Sequence, residues 1–366
     1  MKNFITGLEL SELLYKEVVQ PILKRRFPKL TYGAALLGSG SEVLGFDDRV
    51  SSDHHWGPRL QLFLKENEYP TYVNTLEKVF SKELPYTFRG YSTNWSDPDP
   101  EDSMNQFLVP ITEGPINHRI EIFTVQSYLQ NSLAIDSLNL SDIDWLLLPE
   151  QGLREFISGK VFHDSAGELT QARQTLQYYP DNVWRFKLLA EWEHIGQELA
   201  FVGRTGSRGD DLGSRLEATR LVRYIIRLSY LLHKKYPLYP KWFAMGFKQL
   251  PISIKLEPIL LRILKEEGWR KREEYLCEAY LILLETQNKL RITPKITLEP
   301  VSYFSRDQLV IDIGEITKKL QKTIQPPLNK IKYPIGSVNQ FIDDTYILTD
   351  AHYVQKAHMF YKNVEK

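Results

Sequence analysis

Apolar residues recur at helical intervals from Leu8 through Leu14, Val18 and Ile22 to Leu23, which predicts an amphipathic helix over residues 8–27, ending at Phe27-Pro28. The pattern then changes. TYGAALLG (31–38) reads as a short buried strand running into a Gly/Ser turn, and RLQLFL (59–64) alternates as a half-buried strand does. A second helix is expected over 72–82, a surface loop over the Ser-, Asp- and Pro-rich stretch 91–102, and a further strand at HRIEIFTV (118–125). From about Ser141 the texture turns to long helical patterns rich in Trp and Tyr, at 181–202, 212–235 and 265–289, with prolines 237, 240, 251 and 258 breaking the segment between the last two. The tail from Arg291 carries shorter β-like pieces and a weakly helical run. No internal repeat is present. These patterns predict an α+β N-terminal domain over 1–145, a mixed sheet with flanking helices, followed by a mainly α-helical C-terminal domain over 146–366 with a short β-like tail.

Composition adds limits to this picture. With 42% hydrophobic residues over 366 positions the chain can bury the cores of two domains. Cys277 is the single cysteine, which excludes an intrachain disulfide and a zinc-thiolate cluster. The N-terminal stretch mixes charge with apolar residues, and no window approaches the 18 apolar residues of a membrane span, so a cytoplasmic location without a membrane partner is expected. The net charge is zero, yet residues 1–150 hold 13 basic against 21 acidic residues and the remainder 33 against 25. Such halves suit either mutual docking or a metal site paired with a phosphate site. The neutral total argues against nucleic acid as a partner, because that affinity comes from phosphate neutralisation.

The chemistry concentrates in GSGSEVLGFDDRVSSDHHWGPR (38–59). A strand followed by a Gly/Ser turn exposes backbone N–H groups that can hold phosphate. Ser39 and Ser41 can add hydroxyl donors, and glycine at 38 allows close backbone approach. On an extended segment Asp53 and His55 share a face, and Glu121 on the later strand is a third candidate for one metal site. His54 should face the other way. Arg59 opens the next strand, where it can meet a phosphate or close a structural ion pair.

This segment resembles the nucleotidyltransferase signature, a Gly-Ser after a strand, an Asp-x-Asp/Glu pair, and a third carboxylate on a later strand. LLGSGSEVLGFD (36–47), SSDHHWGPRLQLFL (51–64), GKVFHDSAGELTQAR (159–173), YYPDNVW (178–184) and VGRTGSRGDDLGSRL (202–216) resemble, more closely, a bacterial family described as an uncharacterised domain attached to that superfamily. The resemblance implies a phosphate-binding turn at Gly38 and Ser39, a first carboxylate at Asp53, and metal ligands at Asp53, His55 and Glu121. It implies Mg²⁺ or Mn²⁺ and a nucleoside triphosphate, ATP first among the four, whose NMP passes to a hydroxyl of a small-molecule or protein acceptor, with Asp53 and Glu121 catalytic. His55 departs from the pattern, placing a neutral nitrogen where an anionic oxygen is expected. Three outcomes remain open: a metal that accepts imidazole, a pocket completed by Asp47 or Asp48, or a fold that binds nucleotide without transferring it.

In the second half, FVGRTGSRGDDLGSR (201–215) reads as a glycine-rich loop whose Arg204 and Arg208 can bind a triphosphate, or as an interhelical loop capped by Asp210 or Asp211. Arg220, Arg223, Arg227 and Lys234 share one helix face. Trp184, Trp192, Tyr239 and Trp242 read as packing residues. No Walker-type, His-Glu-x-x-His or Gly-x-Ser-x-Gly motif is present. Two hypotheses follow, a metal-dependent nucleotidyltransferase and a noncatalytic nucleotide-binding or protein-interaction module on the same fold.

Overall fold

A computed structural model describes residues 4–52, 55–102 and 104–361, apart from the side chain of residue 346. In chain order it begins with α1 (Gly7–Leu14), a π turn (Tyr15–Val19) and α2 (Gln20–Arg26), then β1 (Tyr32–Leu36), the single turn α3 (Ser41–Leu44), β2 (Arg59–Leu64) and α4 (Tyr69–Glu83). A small hairpin, β3 (Thr87–Phe88) and β4 (Tyr91–Ser92), precedes β5 (Arg119–Thr124) and α5 (Val125–Leu133). Next come α6 (Asp142–Leu146), α7 (Glu150–Ile157), β6 (Lys160–Asp164) and α8 (Glu168–Thr175). Long helices follow: α9 (Asp181–Glu198), α10 (Phe201–Gly206), α11 (Asp211–Leu232), α12 (Pro240–Lys248), α13 (Ser253–Lys265) and α14 (Trp269–Leu290). The last part holds the hairpin β7 (Val301–Ser302) and β8 (Leu309–Val310), α15 (Ile313–Gln321), and the short helices α16 (Val338–Phe341), α17 (Thr345–Thr349) and α18 (Ala351–Gln355).

The chain is a mixed α/β protein that divides into two compact units, residues 1–138 with 152–177, and residues 139–151 with 178–366. The chain passes between these units at 138/139, 151/152 and 177/178, and β6, on the returning segment, pairs with β1. KVFHD mixes charged and apolar side chains, all intermediate or exposed, and gives no apolar alternation that would announce a strand.

In the first unit the sheet runs β5-β2-β1-β6, with β2 parallel to β5 and both other pairings antiparallel. Successive side chains point to opposite faces. Leu60, Leu62 and Leu64 of β2 join Ile120 and Ile122 of β5 in a core with Leu10, Leu14, Val19 and Phe80 from the helices. The opposite register brings Arg59, Gln61 and Phe63 beside Arg119, Glu121 and Phe123. Phe63 and Phe123 pack edge-on to Tyr128 of α5, so all six residues of β2 are buried, where its alternation suggested one solvated face.

The second unit is helical around α9, which packs against α11 and α15, while α13 and α11 pack against α14. Trp184 and Trp192, expected to be packing residues, are buried and donate their indole N–H to Leu231 O and Gln287 Oε1, both at 2.8 Å. Pro258 does not break the chain as its position suggested; it lies inside α13, where only the hydrogen bond its own nitrogen would make is forfeited. Lys187 of α9 is fully buried against Glu150 at 2.9 Å, and Arg227 of α11 reaches the same carboxylate at 3.1 Å. Burial opposes ionisation of Glu150, but Lys187 and Arg227 prevail and hold its carboxyl below the usual range.

At Glu191, one turn along α9, burial outweighs Arg227, Lys187 and the hydrogen bond that Gln340 Nε2 donates at 2.8 Å, and pushes the carboxyl up to about 7. The folded chain therefore keeps this proton to higher pH than the unfolded chain, so the stability it contributes is present below the ordinary carboxylate range and is lost as pH rises through about 7. Urea denaturation of wild type and Glu191→Gln between pH 5 and 8 should show wild type losing about 2 kcal/mol relative to the variant over that window. Parallel pH curves would exclude the assignment.

Candidate functional site

The Gly/Ser turn lies between β1 and α3, as its composition suggests. Gly38 has φ +86° and Gly40 φ +138°. A Cβ at residue 38 would stand 2.7 Å from the Tyr128 hydroxyl, and one at 40 would stand 2.5 Å from Glu42 Oε2 and 2.7 Å from Arg59 Nη2. Only glycine fits both places. The helix that follows is one turn long, so a macrodipole contributes little, and the donors on offer are the turn's own N–H groups. Those of Ser39, Gly40 and Ser41 meet no acceptor among the described residues, whereas Gly38 N–H donates to Glu155 O at 3.3 Å. Ser39 is exposed, and Ser41 Oγ donates to Ser51 O at 3.3 Å.

Arg59 holds this turn from behind. Its Nε and Nη2 donate to Glu42 Oε1 at 2.9 and 2.6 Å, and Nη2 donates to Ser39 O at 2.6 Å. Both side chains of the pair are at least 96% buried, with exposures of 4% and 3%. Burial pulls the guanidinium pKa down, but Glu42 more than offsets it, so Arg59 stays charged. Its guanidinium is thus committed to a structural ion pair, the second of the two roles its position allows.

Beside it, Gln61 extends the β1 ladder with its side chain: Oε1 accepts from Leu37 N at 2.9 Å and Nε2 donates to Leu37 O at 3.2 Å. The same Nε2 reaches Glu121 Oε2 at 3.3 Å, so the turn, Gln61 and Glu121 form one contiguous polar strip. Arg119, opposite Arg59 in the parallel register, lies over the Trp95 ring at 5.0 Å and brings Nη1 within 2.8 Å of His55 Nδ1. Burial and then Arg59 lower the Arg119 pKa, while Glu121 and Glu42 act against that.

Asp53 and His54 lie outside the described residues. His55 is in a loop with φ +53°, its N–H bonded to Gln106 O at 3.0 Å, and β2 begins only at Arg59. The strand geometry used to pair it with Asp53 does not extend to it. Asp47 is committed elsewhere: Oδ2 accepts from Gly7 N at 2.7 Å and Trp56 Nε1 at 3.0 Å. Asp48 closes a local turn through Val50 and Ser51. Among the described residues no group of three His, Cys, Asp or Glu side chains could hold a metal ion.

Arg204 and Arg208 belong to the helical unit. The segment expected to be a loop over 201–215 is mostly helix, with α11 capped by Asp210, which accepts from Gly213 N at 2.8 Å. Arg204 lies over Phe201 of its own helix at 5.4 Å, and Arg208 is exposed in the turn. Gly203 and Gly206 lie against Glu273 and Trp269, so they serve helix packing. Of the residues sequence reasoning passed over, Gln61 had a signal, an amide between leucines on a buried strand; Arg119 and Tyr128 had none.

Residues 145–243 match the family model "Domain of unknown function (DUF4037)". No curated protein matches the chain. Among solved structures, a nucleotidyltransferase-like protein from Exiguobacterium sibiricum 255-15 aligns with a TM-score of 0.33 and 11% identity, over 84% of this chain and 88% of that one. No helix among the described residues is long and apolar enough to cross a membrane.

Removing Arg59 would strand a buried carboxylate. Arg59→Met should destabilise the protein by about 3–5 kcal/mol, and the double variant Arg59→Met, Glu42→Gln should recover part of that loss. Urea titrations of the three proteins check this; a single variant as stable as wild type would contradict it.

Proposed function

We propose that the first unit binds a nucleoside triphosphate on the Gly38–Ser41 turn and transfers its NMP to an acceptor hydroxyl. The observation that carries the reading is the run of three backbone N–H groups, Ser39 to Ser41, without acceptors among the described residues and joined through Gln61 to Glu121. Backbone donors in such a turn suit phosphate oxygens, and Arg119 adds positive charge to the same sheet face. Glu121 Oε1 has no hydrogen-bond partner among the described residues, which suits a carboxylate that takes the acceptor's proton.

For the cation, the described residues alone do not make a site: Glu121 is one carboxylate beside two guanidinium groups, and His55 Nδ1 faces Arg119. The fit therefore rests on Asp53, with Glu121 and His55 completing the set. Mg²⁺ or Mn²⁺ held there would align the triphosphate and neutralise the leaving pyrophosphate.

A second reading, nucleotide binding without transfer, is favoured by that same His55–Arg119 contact, since a cation already sits where a metal ligand is expected.

Calorimetric titration of ATP, GTP, CTP and UTP, each with Mg²⁺, with Mn²⁺ and with chelator, separates the readings. Transfer predicts metal-dependent binding of one nucleotide, weakened at least about tenfold in Asp53→Ala. Equal binding with and without metal would leave the second reading, and no binding would end both.

A further inference from the structure

One large cavity lies wholly within the helical unit and has no role in the reading above. It measures about 740 Å³ and opens between α9, α11 and residues 333–343. That volume is within the ordinary range of small-molecule sites. Arg220, Arg223 and Arg227 come from one face of α11 at spacings of three and four, and all three line it.

Each guanidinium carries five N–H donors. Arg220 uses Nε on the Tyr224 hydroxyl at 2.8 Å and Nη2 on Glu198 at 3.0 Å; Arg223 meets Asp343 at 2.6 Å; Arg227 meets Glu150 at 3.1 Å. Most donors of the three remain uncommitted. The Arg223–Asp343 pair is exposed on both sides, 45% and 64%, so an incoming anion can open it at little cost. The carboxylates Glu193, Glu198 and Asp343 also line the cavity, which makes it charge-balanced. An anion is then held by oriented donors and not by a net field.

The remaining walls are of two kinds. Tyr224, Tyr333 and Phe341 supply aromatic surface. The side chains of Gln197 and Glu193 make no hydrogen bond among the described residues and can accept from hydroxyl or amino groups. In the same wall His194 Nδ1 and Glu198 Oε2 are buried without a hydrogen-bond partner among the described residues, which marks a polar chamber and not an apolar packing void.

We propose that this cavity binds a phosphate monoester of nucleoside monophosphate size, its phosphate on Arg220 and Arg223, its planar ring against Tyr333, and its hydroxyl or amino groups on Glu193 and Gln197. The site stands on the helical unit alone and does not rest on the triphosphate reading of the first unit.

Calorimetry on the full chain with AMP and CMP, and with adenosine and inorganic phosphate as the separate halves, tests it. The expected result is binding of AMP or CMP that is unchanged in Asp53→Ala, at least about tenfold weaker in Arg223→Gln, and weaker in Tyr333→Ala. Both cavity residues are largely exposed, 45% for the Arg223 side chain and 67% for Tyr333, so both variants should fold. The proposal is overturned if neither nucleotide binds up to about 10 mM, if both cavity variants bind as wild type does, or if phosphate alone binds as tightly as the nucleotides. Loss of AMP binding in Asp53→Ala with retention in Arg223→Gln would also overturn it, by assigning the ligand to the first unit.

Discussion

The ion pair between Arg59 and Glu42 is the constraint around which the first unit is arranged. Two charges taken out of water gain from each other only when their geometry is good and their remaining donors are used. Here the third contact, to Ser39 O, satisfies that demand and at the same time fixes the path of the turn. Gly40 follows from the pair, because a side chain there would overlap both partners. Gln61 follows as well: an amide that copies a strand's donor and acceptor keeps Leu37 in register while the chain leaves the sheet. The turn is therefore set by the buried face of β2, which frees its own N–H groups from structural duty.

The helical unit solves a related problem differently. Lys187 and Arg227 bring two cations to the buried Glu150 carboxylate, with Tyr179 donating a further hydrogen bond to it at 3.1 Å. Glu191 beside them is left to hold its proton instead. His194 and Glu198, each with a buried side-chain atom that has no hydrogen-bond partner among the described residues, line the large cavity. On the core side of the first unit's sheet, leucines and isoleucines meet the helices directly.

How much of this could be read in advance depended on the range of the interaction. The strands at 59–64 and 118–125 and the helices at 181–202 and 212–235 were legible because local alternation and helical spacing carry them, and each appears within a few residues. The Gly/Ser turn was legible because positive φ restricts the residue type. Arg59 was ambiguous, since its partner Glu42 is 17 positions away and nothing local distinguishes an ion pair from a phosphate contact. Arg119 and its contact with His55 span 64 positions and left no local trace. The extended geometry assumed for His55 gave way because its backbone takes a left-handed conformation that sequence pattern does not report.

The return of residues 152–177 to the first unit has a consequence for synthesis. On a growing chain β1, β2 and β5 emerge first, but the free edge of β1 stays uncovered until Lys160–Asp164 follows. By then α6, part of the other unit, has already left the ribosome with nothing of its own unit to fold against, since α9 begins only at Asp181. The nascent protein thus passes through a stage in which an open sheet edge and an orphan helix coexist, and both are surfaces that seek partners.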